Sequence, residues 1–419
     1  MKKYNIAVIG GGGREHAICA QLKKSPRTDN LYCIPGNAGI SGICTCEKLS
    51  VFDFDGIEKF CKANAVDLVF VAPDDPLAKG LVNFLTEKGL RAFGPTREAA
   101  QLESSKVFSK AFMQRHGIPT AKHRSFSDYS EAERYLLEAD MPIVLKADGL
   151  ALGKGVLICE DRESALKGLK ELMLDGKFGD AGSNIVIEEF LKGREVTVLA
   201  FCDGNTVKCM PSSQDHKRAF DGDKGLNTGG MGAFAPSPYF TRAMQEELMN
   251  KIALPTVNGL KEEGIIFKGV IYFGLMMTAT GLKVIEYNAR FGDPETQVVL
   301  PLLKTDFVDI VNACIDGTLD SLDIEWEDFT ALTVVVASGG YPENVVKGYP
   351  VEIGDTRDVE IFHAGTAFDA QGRLVTNGGR VFDVTATGRD IAEAREKVYA
   401  QIDKIRFTDA RYRKDIGLV

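Results

Sequence analysis

Short apolar runs alternate with helix-like stretches along the first hundred residues. Four of these runs have the length of buried strands: 5–9, 30–34, 67–72 and 90–93. Helical patterns follow the first and third runs, at 17–24 and 78–88. Because strands that alternate with helices favour a parallel sheet, this part of the chain is predicted to form a small α/β domain.

The pattern beyond residue 95 predicts a small α+β subdomain. Its elements are two helices, at 96–116 and 162–174, and three strands, at 141–146, 156–159 and 184–187. A glycine-rich segment, 147–155, joins the first two of these strands. We therefore expect this segment to be the turn of a hairpin.

A second hairpin is predicted from two β-prone runs, 269–278 and 282–287, which turn-forming residues separate. Side chains alternate between faces along a strand, so Glu286 and Asn288 are expected on one face and Tyr287 on the other. A carboxylate beside an amide carbonyl suits a hard cation such as Mg²⁺ that is shared with substrate phosphates. Glu286 and Asn288 are therefore candidate metal ligands, although a hairpin with a charged rim would show the same pair.

The chain after residue 321 has the pattern of a separate small domain. Strand-like runs at 333–337 and 379–384 precede an amphipathic helix at 390–405. We expect this domain to pack against the first one and to close the site.

Composition and charge narrow the class of protein. The 419 residues suffice for roughly three domains, and the net charge of −9 without a Lys/Arg run argues against non-specific nucleic-acid binding. The N-terminus lacks the apolar core of a signal peptide, and no apolar stretch of the sequence reaches membrane-spanning length. A cytoplasmic location is expected.

Nine dispersed cysteines without a Cys-x-x-Cys pair are expected to be reduced core residues. Cys44 and Cys46 are close in sequence and suggest a soft metal or redox site. Such a site would need a second pair or a nearby His, and the sequence pattern offers neither.

A run of four glycines follows the first predicted strand: Gly10, Gly11, Gly12 and Gly13. Backbone N–H groups of such a loop bind phosphate, and Arg14 can add a charge-assisted contact. Glu15 occupies the position of the third glycine in the dinucleotide fingerprint, so NAD binding is not expected. Ligands of parallel sheets bind beyond the carboxyl ends of strands, where the loop and Asn37 would meet. Plain turn chemistry is the alternative explanation of these loops.

Lys146 ends the strand before the glycine-rich hairpin, and Gly153 and Lys154 lie within that hairpin. The spacing of a Walker loop is not met, and no helix follows. A flexible glycine loop can instead fold over phosphates, whose charge Lys146 and Lys154 can offset. Lys106, on the preceding helix, has by itself the character of a solvated lysine.

The strand at 184–187 runs into a short segment: Glu188, Glu189, Phe190 and Leu191. Backbone groups of such a segment can pair with the edge of an adenine. A later carboxylate, Glu195, can accept hydrogen bonds from ribose hydroxyls.

The segment 211–233 is polar and rich in glycine. By composition its first part is a solvent-exposed loop. Its second part has too many glycines for a helix or strand interior, which indicates close approach of the backbone to a ligand.

These features together resemble the nucleotide site of ATP-grasp enzymes. The whole chain is similar to the phosphoribosylamine–glycine ligase (glycinamide ribonucleotide synthetase) family of purine biosynthesis. The matching motifs are 10–16, 105–106, 146–155, 211–218, 227–233 and 290–295, and the last, Arg-Phe-Gly-Asp-Pro-Glu, is the most distinctive. Two departures concern loops: Asp74 and Asp75 stand in a Gly-Pro-Glu position, and Leu226 stands where proline is usual.

The resemblance implies an ATP-grasp fold with an N-terminal Rossmann-like parallel α/β domain and a small C-terminal α+β domain. The expected domains are 1–103, 104–325 and 326–419, and the second includes a lid subdomain near 121–190. The implied reaction joins glycine to 5-phosphoribosylamine and yields glycinamide ribonucleotide, ADP and phosphate through glycyl phosphate. It uses ATP with Mg²⁺ or Mn²⁺, and we expect a monomer without nucleic-acid or membrane partners.

The resemblance also assigns roles to individual residues. The residues assigned to ATP are Lys106, Lys146, Gly153, Lys154, Glu188, Glu189, Phe190, Leu191 and Glu195. Those assigned to the substrates are Gly11, Gly12, Gly13, Arg14, Asn37, Asn227, Gly229, Gly230 and Met231. Asp215 would bind the glycine ammonium, Lys217 a substrate anion, and Arg290 would offset charge near the transferring phosphoryl group or the glycine carboxylate. No chemical role is expected for His16 or His216.

Two other functions remain open at this point. A different ATP-dependent carboxylate ligase would share the nucleotide residues but should lack the combination of 214–218 with 290–295. A non-catalytic nucleotide-binding regulator would be expected to lose a metal ligand or a phosphate-binding lysine. The chain retains all four such residues: Glu286, Asn288, Lys106 and Lys146.

Overall fold

A five-stranded parallel sheet begins the fold, and the computed structural model describes residues 2–150, 155–175 and 182–418. The elements of this region are β1 (Tyr4–Gly10), α1 (Gly13–Lys24), β2 (Thr28–Pro35), β3 (Thr45–Cys46), α2 (Phe54–Ala63), β4 (Leu68–Val71), α3 (Asp74–Ala78), α4 (Leu81–Glu87) and β5 (Ala92–Phe93). The strand order is β3-β2-β1-β4-β5, with every pairing parallel. Residues 6–9 of β1 are fully buried, as a parallel strand covered on both faces requires. The predicted α/β domain is confirmed.

The helix predicted over 78–88 is wrong in its extent. Helix α3 begins at Asp74, four residues before the predicted start, and Gly80, with φ +86°, separates it from α4. Glycine adopts this left-handed conformation without steric cost, which ends one helix and starts the next. Asp74 and Asp75 lie in the first turn of α3, where negative charge complements the helix dipole.

A four-stranded antiparallel sheet, which we call the lid sheet, follows. The elements of this region are α5 (Gln101–Ser104), α6 (Lys106–Arg115), β6 (His123–Phe126), α7 (Tyr129–Glu138), β7 (Ile143–Ala147), β8 (Val156–Cys159), α8 (Arg162–Met173) and β9 (Ile185–Glu189). The strand order is β6-β9-β7-β8, and helices α7 and α8 share a separate core with the sheet. The predicted hairpin of β7 and β8 is confirmed.

The single helix predicted over 96–116 is wrong, because α5 and α6 are separated at Ser105. The Ser105 hydroxyl accepts a hydrogen bond from Phe108 N (3.0 Å) and donates one to Asp148 Oδ1 (3.0 Å). Asp148 Oδ1 also accepts from Val107 N at 3.1 Å. These contacts cap α6 and place Lys106 at its first position, beside the start of the glycine-rich hairpin.

A second antiparallel sheet, the central sheet, has the order β11-β10-β16-β17. The elements of this region are β10 (Arg194–Asp203), β11 (Val207–Cys209), β12 (Gln214–Asp215), β13 (Arg218–Phe220), β14 (Lys224–Asn227), β15 (Gly232–Ala235), α9 (Arg242–Leu248), α10 (Leu254–Glu262), β16 (Lys268–Thr278), β17 (Gly281–Asn288), α11 (Thr296–Val299) and α12 (Phe307–Asp316). A π-helical turn, Met249–Ala253, connects α9 to α10. The predicted hairpin is present as β16 and β17.

The C-terminal sheet has the order β12-β15-β18-β23-β20 and thus takes two strands from the preceding region. Its further elements are β18 (Thr330–Ala337), β19 (Glu352–Ile353), β20 (Glu360–His363), β21 (Thr366–Phe368), β22 (Leu374–Thr376), β23 (Arg380–Gly388), α13 (Ile391–Gln401) and β24 (Ile405–Arg406). Helix α13 packs on β18 and β23 through Ala394 and Val398.

The C-terminal region packs against the N-terminal sheet domain, as predicted. The amide of His363 donates to His16 Nδ1 (2.8 Å), and the ring of His16 meets that of Phe362 edge-on. Burial, with a further effect of His363, lowers the pKa of His16 to about 3, so His16 is neutral and joins the two domains. Among the described residues, no helix has the length and apolar character needed to cross a membrane.

Candidate active site

A cleft of about 460 Å³ lies where the lid sheet, the central sheet and both terminal regions meet. The predicted site residues that line it are Arg14, Lys106, Lys146, Glu188, Glu189, Phe190, Leu191, Glu195, Asp215, Lys217, Asn227, Gly229, Glu286, Asn288 and Arg290. Together with Arg380, which also lines the cleft, residues from both terminal regions and the middle of the chain face one volume. Cavities of this size that are lined by convergent polar groups are typical of small-molecule sites.

Six predicted site residues among those that the structure describes do not line the cleft. Gly153 and Lys154 lie outside the described residues. The six are Gly11, Gly12, Gly13, Asn37, Gly230 and Met231.

Strand β17 presents Glu286 and Asn288 to the cleft and Tyr287 to the core, as predicted. The Tyr287 hydroxyl is buried and lies 2.8 Å from Thr256 Oγ1. Glu286 is the strand partner of Gly274, where an added Cβ would lie 3.1 Å from Glu286 Cγ. The absence of a side chain at Gly274 leaves room for the carboxylate to reach the cleft.

Glu103 organises three successive residues at the end of β17. Its Oε2 accepts from Ala289 N (2.7 Å), and its Oε1 pairs with Arg290 Nη2 (2.7 Å). The amide orientation that satisfies Asn288 has its Nδ2 donating to Glu103 Oε1 (3.1 Å) and Tyr287 O (3.2 Å). The carbonyl oxygen of Asn288 is then directed away from these acceptors and is available as a ligand.

The charge on Glu286 is stabilised by cations. Burial alone raises the pKa of this carboxyl, but the surrounding cations, of which Lys217 and Lys146 act most strongly, lower it below its ordinary value. Glu286 is therefore ionised at neutral pH. Among the described residues, no group of three or more His, Cys, Asp or Glu side chains is arranged to hold a metal ion. A Glu–Asn pair fits a cation that takes its remaining ligands from phosphates and water.

Lys106 and Lys146 face the same part of the cleft. Lys106 Nζ donates to Gly149 O (2.9 Å), and Lys146 Nζ donates to Ile285 O (3.0 Å). Burial lowers the pKa of Lys106. The charge of Glu286 opposes this shift, and the charge of Lys146 adds to it. A bound polyphosphate would relieve this desolvation, because it supplies negative charge between the two ammonium groups.

A buried ion triad holds Glu188, at the end of β9. Its Oε1 pairs with Lys146 Nζ (3.1 Å) and its Oε2 with Lys110 Nζ (3.0 Å). Lys110 Nζ also donates to Thr120 Oγ1 (2.7 Å), and burial lowers the pKa of Lys110 to about 8, although Glu188 opposes the shift. Lys110 was missed by the sequence reasoning, but its position one helical turn after Lys106 was a usable signal.

We expect Lys110→Met to raise the KM for ATP by about tenfold with little change in kcat. The substitution removes one of the two cations that orient Glu188, and Lys146 is left as the partner of that carboxylate. Initial rates against ATP concentration measure the effect, with Lys251→Met, an exposed helical lysine, as the matched control. An unchanged KM in a folded Lys110→Met protein would contradict the positioning role.

Asp215 and Lys217 lie in a second charged group at the cleft. Lys217 Nζ pairs with Glu195 Oε2 (3.0 Å), and Tyr272, opposite Asn288 in the hairpin, donates to Glu295 Oε1 (2.9 Å). Burial raises the pKa of Asp215 to about 7; Lys217 opposes the shift and neighbouring carboxylates add to it. A substrate ammonium would restore the ionised form of Asp215.

Arg290 is half-buried and packs against two carboxylates. Its Nη2 lies 2.7 Å from Glu103 Oε1 and 3.9 Å from Asp74 Oδ2. Burial lowers the pKa of Arg290, but these two carboxylates outweigh burial and raise it overall. Arg14 Nη1 donates to Phe291 O (3.1 Å), so a second guanidinium approaches the same loop.

Arg380, from the C-terminal region, holds two cleft-lining segments together. Its Nη1 donates to Gly229 O (2.7 Å) and Asp293 O (2.8 Å), and its Nη2 pairs with Asp293 Oδ2 (3.1 Å). Gly230, with φ +117°, packs so tightly that an added Cβ would lie 2.4 Å from Pro294 Cδ. The groups that approach Gly229 and Gly230 closely are the guanidinium of Arg380 and the ring of Pro294.

The glycine loop makes its contacts within the protein. The Gly12 amide donates to Glu15 Oε2 (2.6 Å), and Arg14 Nε donates to Glu15 Oε1 (2.6 Å). Asn37 Nδ2 donates to Gly11 O (2.9 Å) and His363 O (2.7 Å). The Glu15 carboxylate thus accepts from a loop amide that would contact the pyrophosphate in a dinucleotide-binding loop.

Three family models match successive segments of the chain. They are "Phosphoribosylglycinamide synthetase, N domain" over residues 4–103, its ATP-grasp (A) domain over 104–296 and its C domain over 331–419. The phosphoribosylamine–glycine ligase of Caldanaerobacter subterraneus subsp. tengcongensis is 45% identical over 98% of this chain and 99% of its own length. The trifunctional purine biosynthetic protein adenosine-3 of Gallus gallus is 46% identical over 98% of this chain and 42% of its own length.

Solved structures agree with the sequence relatives. The crystal structure of phosphoribosylamine–glycine ligase from Thermotoga maritima has a TM-score of 0.86 at 35% identity, over 98% of this chain and all of that chain. The biotin carboxylase domain of Hydrogenobacter thermophilus 2-oxoglutarate carboxylase has a TM-score of 0.76 at 16% identity, over 98% and 92% of the two chains, and indicates the fold alone. The predicted ATP-grasp fold is confirmed, and the chain belongs to the phosphoribosylglycinamide synthetase family.

Proposed function

We propose that this protein joins glycine to 5-phosphoribosylamine at the expense of ATP and releases glycinamide ribonucleotide, ADP and phosphate, a step of purine biosynthesis. The observation that carries the proposal is the meeting of Glu286, Asn288, Lys106, Lys146 and Arg290 in one cleft of a chain of this family. These residues suit an acidic substrate that carries phosphate groups. The proposed reaction needs no nucleophile from the protein.

The reaction needs two transfers. A carboxylate is a poor acyl donor, so the γ-phosphoryl group of ATP first passes to the glycine carboxylate and forms glycyl phosphate. The amine of 5-phosphoribosylamine then attacks the glycyl carbonyl, and phosphate leaves. Both steps gather negative charge, and positioned cations stabilise it. Lys106, Lys146 and Arg290 supply these cations, with Arg290 next to the transferred phosphoryl group or the glycine carboxylate.

The nucleotide lies between the lid and central sheets in this proposal. Lys106 and Lys146 contact its phosphates, and Gly153 and Lys154 of the hairpin cover them. Backbone groups of Glu188, Glu189, Phe190 and Leu191 contact the adenine, and Glu195 accepts from the ribose. The two salt bridges of Glu188 support this arrangement, because they hold the end of β9 rigidly beside Lys146.

The other substrates lie on the side of the cleft nearer the terminal regions. Asp215 binds the glycine ammonium, and Lys217 is a second charge at the same place. Arg14 and Asn37, with Gly11, Gly12 and Gly13, bind the phosphoribosyl group. The adjoining wall consists of Asn227, Gly229, Gly230 and Met231. Arg380 links this wall to Asp293 through a salt bridge.

Glu286 and Asn288 would hold Mg²⁺ or Mn²⁺. Two oxygen ligands, one of them the ionised, half-buried carboxylate of Glu286, fit such an ion. When bound, the ion neutralises ATP phosphate charge and polarises the transferred group. We further propose three domains, 1–103, 104–325 and 326–419, the second of which includes a lid near 121–190. We also propose that the protein is a cytoplasmic monomer that acts on small molecules.

ADP formation tests the function directly. The assay combines ATP, Mg²⁺, glycine and freshly generated 5-phosphoribosylamine, and omits each in turn. Turnover that requires all four supports the proposal. ADP formation with another carboxylate, and none with glycine, would leave the fold assignment intact and overturn the substrate assignment.

A further inference from the structure

Strands β13 and β14 form a hairpin beside the cleft, residues 218–227, which we call the polar hairpin. Lys217 directly precedes it and Asn227 ends it, and both residues line the cleft. Within the polar hairpin only Ala219 is buried. An isolated two-stranded hairpin is at best marginally stable in water, so its position depends on contacts with its neighbours.

Arg413, close to the end of the chain, supplies several of these contacts. Its side chain is 2% exposed, and its Nη1 donates to Arg218 O (3.0 Å) and Asp223 Oδ1 (2.9 Å). Its Nε and Nη2 donate to the two oxygens of Asp415, each at 2.7 Å. Asp415 Oδ2 also accepts from Gly222 N (2.8 Å). One guanidinium thus joins a strand and the turn of the polar hairpin to the end of the chain.

The segment 413–416 is itself held by helix α13. The Tyr399 hydroxyl donates to Arg413 O (2.7 Å), and Arg395 Nε donates to Ile416 O (3.1 Å). Ile416 is fully buried in the core of the C-terminal region. The polar hairpin is therefore connected through Arg413 to a packed part of the protein.

Arg413 also lies near the segment that carries Asp215 and Lys217. Burial lowers the pKa of His216, which stands between these two residues, and the charge of Arg413 adds to this effect. The carbonyl group that Arg413 contacts belongs to the residue that follows Lys217. On the other strand, Thr228 N and Oγ1 both donate to Lys217 O, each at 2.8 Å. A displacement of the polar hairpin would therefore move the backbone of Lys217.

We propose that Arg413 is a positioning residue for the glycine site and acts through the polar hairpin, which it holds so that Lys217 keeps its place in the cleft. The choice of glycine rests on the proposed function, in which Asp215 and Lys217 bind that substrate. The connection between Arg413 and the hairpin does not depend on it. Lys106 and Lys146, assigned to the ATP phosphates, lie on α6 and β7, which the polar hairpin does not join.

Hydrogen exchange of the whole protein tests the connection without any substrate. In Arg413→Met we expect the amides of residues 218–227 to exchange about tenfold faster, whereas the amides of β1 keep their wild-type rates. Arg389→Met is the matched control, because Arg389 is an exposed arginine of the C-terminal region that pairs with Glu393. Unchanged exchange in the polar hairpin of a folded Arg413→Met protein would overturn the proposal.

Arg413→Lys provides a second variant that keeps the positive charge beside Asp223 and Asp415. A lysine lacks the fork of donors that contacts a carbonyl group and two carboxylates together, so exchange over 218–227 should be about threefold faster than in the wild type. The KM for glycine should rise by a similar factor. If Arg413→Met does not fold, wild-type exchange and wild-type KM in Arg413→Lys would overturn the proposal.

Steady-state kinetics test the effect on the glycine site. In Arg413→Met the KM for glycine should rise about tenfold, while the KM for ATP stays within about threefold of the wild-type value. A merely structural role would lower the amount of active protein and leave both KM values unchanged. Faster exchange in the hairpin with an unchanged KM for glycine would overturn the positioning role. Wild-type ADP formation that does not require glycine would instead refute the proposed function.

Discussion

Glu286→Gln is expected to lower kcat by about 10³-fold, which corresponds to about 4 kcal/mol in the activation barrier. The substitution keeps the size of the side chain but removes its charge, in a place where four cations, Lys217, Lys146, Lys106 and Arg290, stabilise that charge. The metal would lose its one anionic protein ligand. Steady-state ADP formation at several Mg²⁺ and Mn²⁺ concentrations measures both the loss and the weaker metal dependence.

Two comparisons separate this effect from general damage. Glu246→Gln makes the same change at an exposed helical site and should leave activity unchanged. Asn288→Asp places a second carboxylate against Glu103, which should lower activity. Because it keeps an oxygen ligand for the metal, it should still retain more activity than Glu286→Gln. A Glu286→Gln protein with more than about a tenth of normal kcat at ordinary Mg²⁺ would remove Glu286 from the metal site.

The parts of the site that rest on local pattern were predictable from the sequence. The hairpin of β16 and β17 has a period of two and a clear turn, so the shared face of Glu286 and Asn288 followed from alternation alone. The hairpin around 147–155 followed in the same way from apolar runs that flank glycines. Family motifs then related these segments to one reaction, which local periodicity by itself left open.

The errors arose where tertiary contacts override local propensity. Helical character continues across Ser105, yet its bonds to Phe108 N and Asp148 divide the helix and change the position of Lys106. Strands β12 and β15 join the C-terminal sheet, a long-range pairing that no local pattern indicates. Glu103 and Arg380 were missed for the same reason, since their partners lie far away in the sequence.

The cysteines illustrate a related limit. Four thiols from α1, β2 and the β3 region converge only because a parallel sheet places those elements side by side. Spacing rules recognise pairs within one loop and miss clusters assembled by topology. The expectation of reduced core residues therefore fits Cys202 and Cys314, which are buried with raised pKa values, better than the half-buried Cys44 and Cys46.

Arg290→Met should abolish ADP formation and also destabilise the protein by about 3–5 kcal/mol. The substitution leaves Glu103 buried without its cation, and Asp74 loses its nearest guanidinium. Burial already raises the pKa of Glu103, and the loss of Arg290 raises it further. A protein loses stability as pH rises through the folded pKa of an acid whose folded pKa exceeds its unfolded value. The free energy of unfolding of the variant should therefore lie further below that of the wild type at pH 8 than at pH 5.

A double variant separates the two roles of Arg290. In Arg290→Met/Glu103→Gln the unpaired charge is gone, so thermal unfolding should recover much of the lost stability and most of its pH dependence. ADP formation should not recover, because no cation remains beside the transferred phosphoryl group or the glycine carboxylate. Recovery of activity together with stability would show that Arg290 only fixes the loop through Glu103. Recovery of stability without activity would assign Arg290 to the chemistry itself.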